Sequence, residues 1–195
     1  MSTAAVALEV LRAAERTPVP WKNGGGVTRE VAVSPAGSSL DDFDWRVSVA
    51  DIRAAGPFSR FPGIERQMAV LSGRLSFAID GRSPVTLTAE SEPVAFAGEA
   101  SVSADPLDGS VTDLNVMTRR ARCRARLTRQ TIEESASLEA RSETTLLLAL
   151  SDLIVRHDDV ELCLSRLDAL RIARGAGCTI TGRSGPAAFH LLEIL

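Results

Sequence analysis

From Thr28 to the C-terminus, short stretches of alternating apolar and polar residues are broken at close intervals by Gly, Pro, Asp and Ser. Almost no segment keeps a helical period for long, so the pattern predicts an all-β chain. Strands are expected at Thr28–Val33, Trp45–Ile52, Glu65–Leu71, Leu75–Ile79, Val85–Thr88, Val94–Ala97, Ser101–Ala104 and Asp113–Met117. Further strands are expected at Cys123–Arg129, Thr144–Leu150, Leu153–Arg156, Val160–Leu164, Leu167–Ala173, Thr179–Thr181 and Ala187–Ile194. Ser72-Gly73, Asp80-Gly81, Asp108-Gly109, Asp158-Asp159 and Gly175-Ala176-Gly177 mark turns. So many short strands at close spacing make a sandwich, jelly roll or barrel. Only Ala4–Arg16 and Ile132–Ala140 have the Ala, Glu, Leu and Arg content of helices, and helices are expected there.

The alternation also assigns faces. Over Asp44–Ala50, Trp45, Val47 and Val49 share one face and Arg46, Ser48 and Ala50 the other. Over Asp113–Arg120, Asp113, Asn115, Met117 and Arg119 share a face opposite Leu114, Val116 and Thr118. An Asn and an Arg turned into a pocket suit a carboxylate, which Arg binds bidentately; the other reading is an edge strand whose polar face meets water. Arg122, Arg124 and Arg126 alternate with Cys123, Ala125 and Leu127, giving either a solvated sheet face or an anion-binding stripe.

Length and charge narrow the function classes. The 195 residues suit one domain or two small ones, and 45% hydrophobic with 24% charged residues describes a globular chain. No apolar run reaches the roughly 18 residues of a membrane span, and the N-terminus has no basic region ahead of an apolar one, so a cytoplasmic protein without membrane attachment is expected. Net charge is only −3, which does not advertise nucleic-acid binding. The three cysteines, Cys123, Cys163 and Cys178, are odd in number and widely spaced, arguing against a disulfide framework and a zinc knuckle. A second run of short strands follows Arg120, so a duplication is considered, with units at 1–118 and 119–195; both tryptophans and five of the six phenylalanines fall in the first, which is the half expected to carry a site.

The segment Pro20-Trp21-Lys22-Asn23-Gly24-Gly25-Gly26-Val27-Thr28-Arg29-Glu30 contains the only lysine beside 21 arginines. Lysine offers a compact ammonium where arginine offers a planar fork, and three glycines let a backbone approach a ligand and turn N–H groups toward an anion. The same segment reads equally as a flexible turn with Trp21 packed over the core. It lacks the order of a P-loop, and its glycines precede a strand. The loop Gly56-Pro57-Phe58-Ser59-Arg60-Phe61-Pro62-Gly63 either folds over a barrel mouth or is a surface loop pinned by its two aromatics. Only His157 and His190 exist, and no His-x-His pair, H-E-x-x-H or G-x-S-x-G occurs, so neither a His-rich metal site nor a hydrolase elbow is supported.

Together the Pro20–Glu30 segment, Phe43–Ser48 with Gly56–Gly63, and Asp113-Leu114-Asn115-Val116-Met117-Thr118-Arg119-Arg120 closely resemble the HutD/Ves family, over roughly residues 5 to 120. The resemblance implies a bicupin, two jelly-roll barrels of the double-stranded β-helix type in one chain. It further implies a link to histidine utilisation, as a sensor or governor that binds a small acid such as N-formylglutamate; Ves-type relatives are linked to stress response. The chain departs from metal-dependent cupins in lacking their paired histidines and glutamate, so a pocket without metal or cofactor is expected.

The expected ligand set is Trp21, Lys22, Asn23, Gly24, Gly25, Gly26, Arg29, Arg46, Phe58, Phe61, Asn115 and Arg119. Lys22 and the glycine backbone would meet one anionic end of a small carboxylate metabolite, Arg46 or Arg119 the other, and Asn23 or Asn115 its polar middle, while Trp21, Phe58 and Phe61 exclude water. No catalytic residue is assigned. An enzyme acting on the same acid through Glu30, Asp44 or Lys22, and a protein-interaction role for the Arg122/Arg124/Arg126 face, stand as alternatives, and cupin analogy adds a homodimer through sheet edges.

Overall fold

The alternation over Trp45–Ile52 becomes a strand with those bounds, and the same pattern builds nearly everything else in the computed structural model, which describes residues 7–21 and 23–195. In chain order the strands are β1 (Leu8–Leu11), β2 (Pro18–Pro20), β3 (Gly26–Ser34), β4 (Trp45–Ile52), β5 (Gly56–Pro57), β6 (Ile64–Ser72), β7 (Leu75–Ile79), β8 (Val85–Leu87), β9 (Val94–Ala97) and β10 (Val102–Pro106). They continue with β11 (Val111–Arg119), β12 (Ala125–Ile132), β13 (Ser135–Glu139), β14 (Thr144–Ala149), β15 (Leu153–His157), β16 (Val160–Leu164), β17 (Ala169–Ile172), β18 (Gly177–Gly182) and β19 (Ala187–Ile194). The described residues contain no α-helix, only a 3-10 turn at Ala13–Glu15, and so no helix long and apolar enough to cross a membrane.

Both expected helices are therefore corrected. Within Ala4–Arg16, whose first residues lie outside those described, Leu8–Leu11 forms β1 and pairs antiparallel with β17. Within Ile132–Ala140, Glu133 and Glu134 turn the chain between β12 and β13. Helix propensity is a weak prior, and pairing with a distant strand overrides it.

Two compact units result, Arg16–Arg124 and the residues up to Glu15 together with Ala125–Leu195. The first segment thus goes with the C-terminal strands and not with the unit expected over 1–118. In the Arg16–Arg124 unit, a six-stranded sheet of order β2-β3-β4-β11-β6-β9 and a four-stranded sheet β5-β10-β7-β8 close over one core. That core holds Ile52, Met68 and Val70 from the larger sheet and Leu75, Phe77, Val102 and Ala104 from the smaller. The other unit repeats the plan, with sheets β1-β17-β14-β19-β12 and β13-β18-β15-β16. Its interior is filled by Leu147, Leu153, Val155, Leu170, Ile180 and Phe189 among others. Of the three alternating arginines, only Arg126 lies on a strand; Arg122 and Arg124 are in the preceding turn, where Arg122 pairs with Asp44.

Candidate functional site in the N-terminal barrel

Strand register fixes which side chains look inward. Ser48 on β4, Asn115 on β11 and Met68 on β6 lie in one row; Arg46, Met117, Arg66 and, on β9, Phe96 form the next; Ala50, Asp113 and Val70 form the row on the other side. Met68, Val70 and Phe96 belong to the core, so this face of the sheet lines the barrel. Among apolar neighbours the inner wall thus carries Ser48, Arg66, Asp113 and Asn115, the first three buried, with Thr28, Glu30 and Arg46 on the same face. Next to Asp113 the β6–β11 register shifts, a bulge of the kind that re-aims a side chain.

Arg66 dominates the site. It is 5% exposed, and its Nε and Nη2 donate to Asn115 Oδ1 at 3.3 and 3.2 Å, while Nη1 donates to the Ser59 carbonyl at 3.4 Å. Its Cζ lies 4.9 Å from the Phe96 ring centroid, 5.1 Å from Phe58 and 5.8 Å from Phe61. A guanidinium in an aromatic box gains cation–π attraction, yet only neutral acceptors touch it through long hydrogen bonds. Among the described residues no carboxylate forms an ion pair with it. Burial pulls its pKa down to about 10, with Asp113 acting in the opposite sense, so it stays charged at neutral pH.

Asp113 is the counterpart. It is 3% exposed and its Oδ1 has no hydrogen-bond partner. Burial pushes its pKa up to about 7, against the pull of the Arg66 charge and of hydrogen bonds from the Ala50 and Asp113 backbone. A carboxyl buried with one oxygen unpartnered favours its neutral form. Arg46 sits in the Arg66 row but is neutralised at the rim, where its Nε donates to Glu30 Oε2 at 2.8 Å.

Phe58 and Phe61 are held over the wall by backbone bonds: Phe58 N–H donates to the Val102 carbonyl at 3.0 Å and Phe61 N–H to the Gly98 carbonyl at 2.8 Å. Trp21 packs against the same core, and its Nε1 donates to Thr28 Oγ1 at 2.7 Å. The glycine tract is a wound turn. Gly24 N–H donates to the Trp21 carbonyl and Gly25 N–H to Asn23 Oδ1, so neither amide is open to an anion.

The sequence-derived set therefore divides. Trp21, Arg46, Phe58, Phe61 and Asn115 converge on the inner wall or its cover, while Lys22 lies outside the described residues. Asn23, Gly24, Gly25 and Gly26 shape the turn. Arg29 bonds Asp51 at 2.7 Å, on the face of the sheet opposite the Thr28 and Ser48 side. Arg119 donates from Nε to the Phe43 carbonyl and from Nη2 to the Asp41 carbonyl, clamping that loop. Arg66, Phe96 and Ser48 were not in the expected set; the signal for Arg66 is that it alternates in step with Ile64, Met68 and Val70. Among the described residues no group of three or more His, Cys, Asp or Glu is placed to hold a metal ion.

Comparison with known proteins agrees with this architecture. A family model described as HutD matches residues 13–188. An uncharacterised 21.2 kDa protein in the hutC 3′ region of Pseudomonas putida is 39% identical, over 96% of this chain and 97% of its own. Protein Ves of Citrobacter koseri is 41% identical over 55% of this chain and 56% of its own. Among solved structures, a conserved protein of unknown function from Pseudomonas aeruginosa PAO1 superposes with a TM-score of 0.86 at 32% identity, covering 96% and 98% of the two chains. HutD from Pseudomonas fluorescens SBW25, in a formate condition, gives 0.80 at 31% identity and the same coverage. A cupin 2 conserved barrel domain protein from Leptotrichia buccalis gives 0.64 at 8% identity, covering 95% of this chain and 100% of its own, a likeness of fold alone that makes the fold cupin-like.

Proposed function

Since the chain belongs to the HutD family, we propose that it is a bicupin whose N-terminal barrel binds a small carboxylate metabolite, with Arg66 as the group that meets the carboxylate. The observation that carries this is the Arg66 guanidinium itself, buried in a box of three phenylalanines with no carboxylate of the described chain paired to it. A buried charge held by neutral acceptors is costly, and an incoming anion relieves that cost while its own desolvation is offset by bidentate hydrogen bonds. Asn115 orients the guanidinium through its Oδ1 and keeps its amide N–H₂ for the ligand. Phe58, Phe61 and Trp21 keep water away. The C-terminal barrel, filled with aliphatic side chains, serves as scaffold.

Histidine-pathway acids are the first candidates, N-formylglutamate foremost, because a relative is described by its place beside hutC. In this role the protein is a cytoplasmic sensor that limits flux by reporting an intermediate. A thermal-shift screen of N-formylglutamate, urocanate, glutamate and histidine at millimolar concentrations tests it, since a ligand of the native state raises Tm by mass action. The expected result is a shift for one acid that vanishes in Arg66→Met while that variant still melts cooperatively. No shift with any of the four overturns the histidine-pathway reading.

A second reading, an enzyme acting on such an acid, is favoured only by Asp113, a carboxyl on the barrel wall that titrates near neutrality. Of the groups first considered for that role, Glu30 is paired with Arg46 and Asp44 with Arg122. Following each acid by NMR in the presence of the protein separates the two, because a sensor leaves its ligand unchanged.

A further inference from the structure

Asp113 adds something to that site which the charge of Arg66 does not supply. We infer that a carboxylate seated at Arg66 is bound together with a proton held on Asp113, whose unpartnered oxygen then donates a hydrogen bond to the ligand. This rests on the carboxylate-binding reading above.

The geometry is that of two incomplete partners on one wall. Arg66 has its charge but no anion; Asp113, in the adjoining strand and two rows away with Asn115 between them, feels that charge and has an oxygen buried from water that accepts nothing. As a carboxylate, Asp113 would stand beside any anion that Arg66 attracts, and in a water-poor barrel two like charges raise each other's affinity for protons. As the neutral acid it becomes a donor, and the orphaned oxygen gains the acceptor it lacks.

The surrounding charges leave this balance to the pair. Beside Asp113 stand the uncharged Val70 of β6, Ala50 of β4 and, beyond it, Thr28 of β3; the Arg66 charge acts on it from two rows away, and the Arg46–Glu30 ion pair further along the wall is neutral as a unit. Asp51, on the reverse of β4 and paired with Arg29, opposes ionisation of Asp113. The opposite sheet presents Leu75, Phe77, Val102 and Ala104, which carry no charge. Burial already brings Asp113 to a midpoint near neutral pH in the free protein, so an added anion tips it to the acid form.

Isothermal titration of the full chain with N-formyl-L-glutamate at pH 8, in HEPES and in Tris, reads this directly. Both ligand carboxyls ionise several pH units lower, so a proton taken up on binding must land on the protein. The expected result is a difference in apparent heat between the two buffers that corresponds to close to one proton per site, with Kd weakening up to about tenfold per pH unit above 7. In Asp113→Asn, whose amide also donates, binding persists and the buffer difference disappears. Equal heats in the two buffers for the native chain overturn the inference while leaving the carboxylate site standing. No heat with N-formyl-L-glutamate, formate or glutamate overturns both together.

Discussion

The Trp21 ring lies so close to the backbone of Gly26 that a methyl group there would stand 2.9 Å from Trp21 Cε3 and 2.6 Å from the Asp51 carbonyl oxygen. The third glycine of the tract is thus needed for close packing of an aromatic lid, not for contact with an anion. Gly26→Ala is expected to displace Trp21, costing about 1–3 kcal/mol of stability. Urea unfolding gives the loss, and a red shift in tryptophan emission reports the ring's exposure.

Arg66 should be dispensable for folding. Replacing a buried charge by an apolar chain of similar length removes its desolvation penalty, and Arg66→Met is expected to be neutral or stabilising by about 1 kcal/mol or more. Calorimetric melting checks this; a cooperative loss of several kcal/mol would mean that the guanidinium organises the Phe58–Phe61 loop.

Asp113 and His190 give opposite pH dependences. The native Asp113 keeps to about pH 7 a proton that the unfolded chain releases near 3.8, so its contribution to stability declines as pH rises through that window. His190 is 1% exposed with both ring nitrogens unpartnered, and burial lowers its pKa to about 4 from 6.5. Its contribution is present above pH 6.5 and lost as pH falls toward 4. The two slopes offset, and the native chain should show a nearly flat stability profile between pH 4 and 6.5. Single variants reveal each slope. Asp113→Asn should gain up to about 4 kcal/mol over the native chain between pH 4 and 7, and His190→Gln should lack an acid-side loss of about 3 kcal/mol, both read by urea titration at stepped pH.

Arg119→Ala should loosen the loop before β4. Two charge-assisted bonds to the carbonyls of Asp41 and Phe43, with the guanidinium over the Phe43 ring, are lost together at about 1–3 kcal/mol. Limited proteolysis should then cut within 35–43 sooner than in the native chain.

The legible part of this molecule was the part governed by alternation. Trp45–Ile52 and Val160–Leu164 have the bounds read from their pattern, and that Asp113 and Asn115 share a face follows from period two, while which face turns inward is set by the strands on either side of β11. Arg66 was harder to read because Glu65-Arg66-Gln67 presents polar groups to both faces, and an arginine in a strand is ordinarily expected at water. What makes it buried is Phe58, Phe61 and Phe96, brought in by a loop and another strand. Arg29 and Arg119 are engaged elsewhere in the structure for the converse reason. Their partners, Asp51 and the 41–43 loop, are set by strand pairing that the local sequence does not encode.

The pairing of Leu8–Leu11 with Ala169–Ile172 has a consequence in time. Leu8–Leu11 leaves the ribosome long before its partner β17 does, so it waits through the synthesis of the intervening residues with its hydrogen-bonding groups unspent. The barrel of Arg16–Arg124 is contiguous and closes as soon as its own strands have emerged. Birth order and assembly order are therefore inverted for β1 and the barrel that follows it, and the β17 edge is covered only when Leu8–Leu11 returns to it.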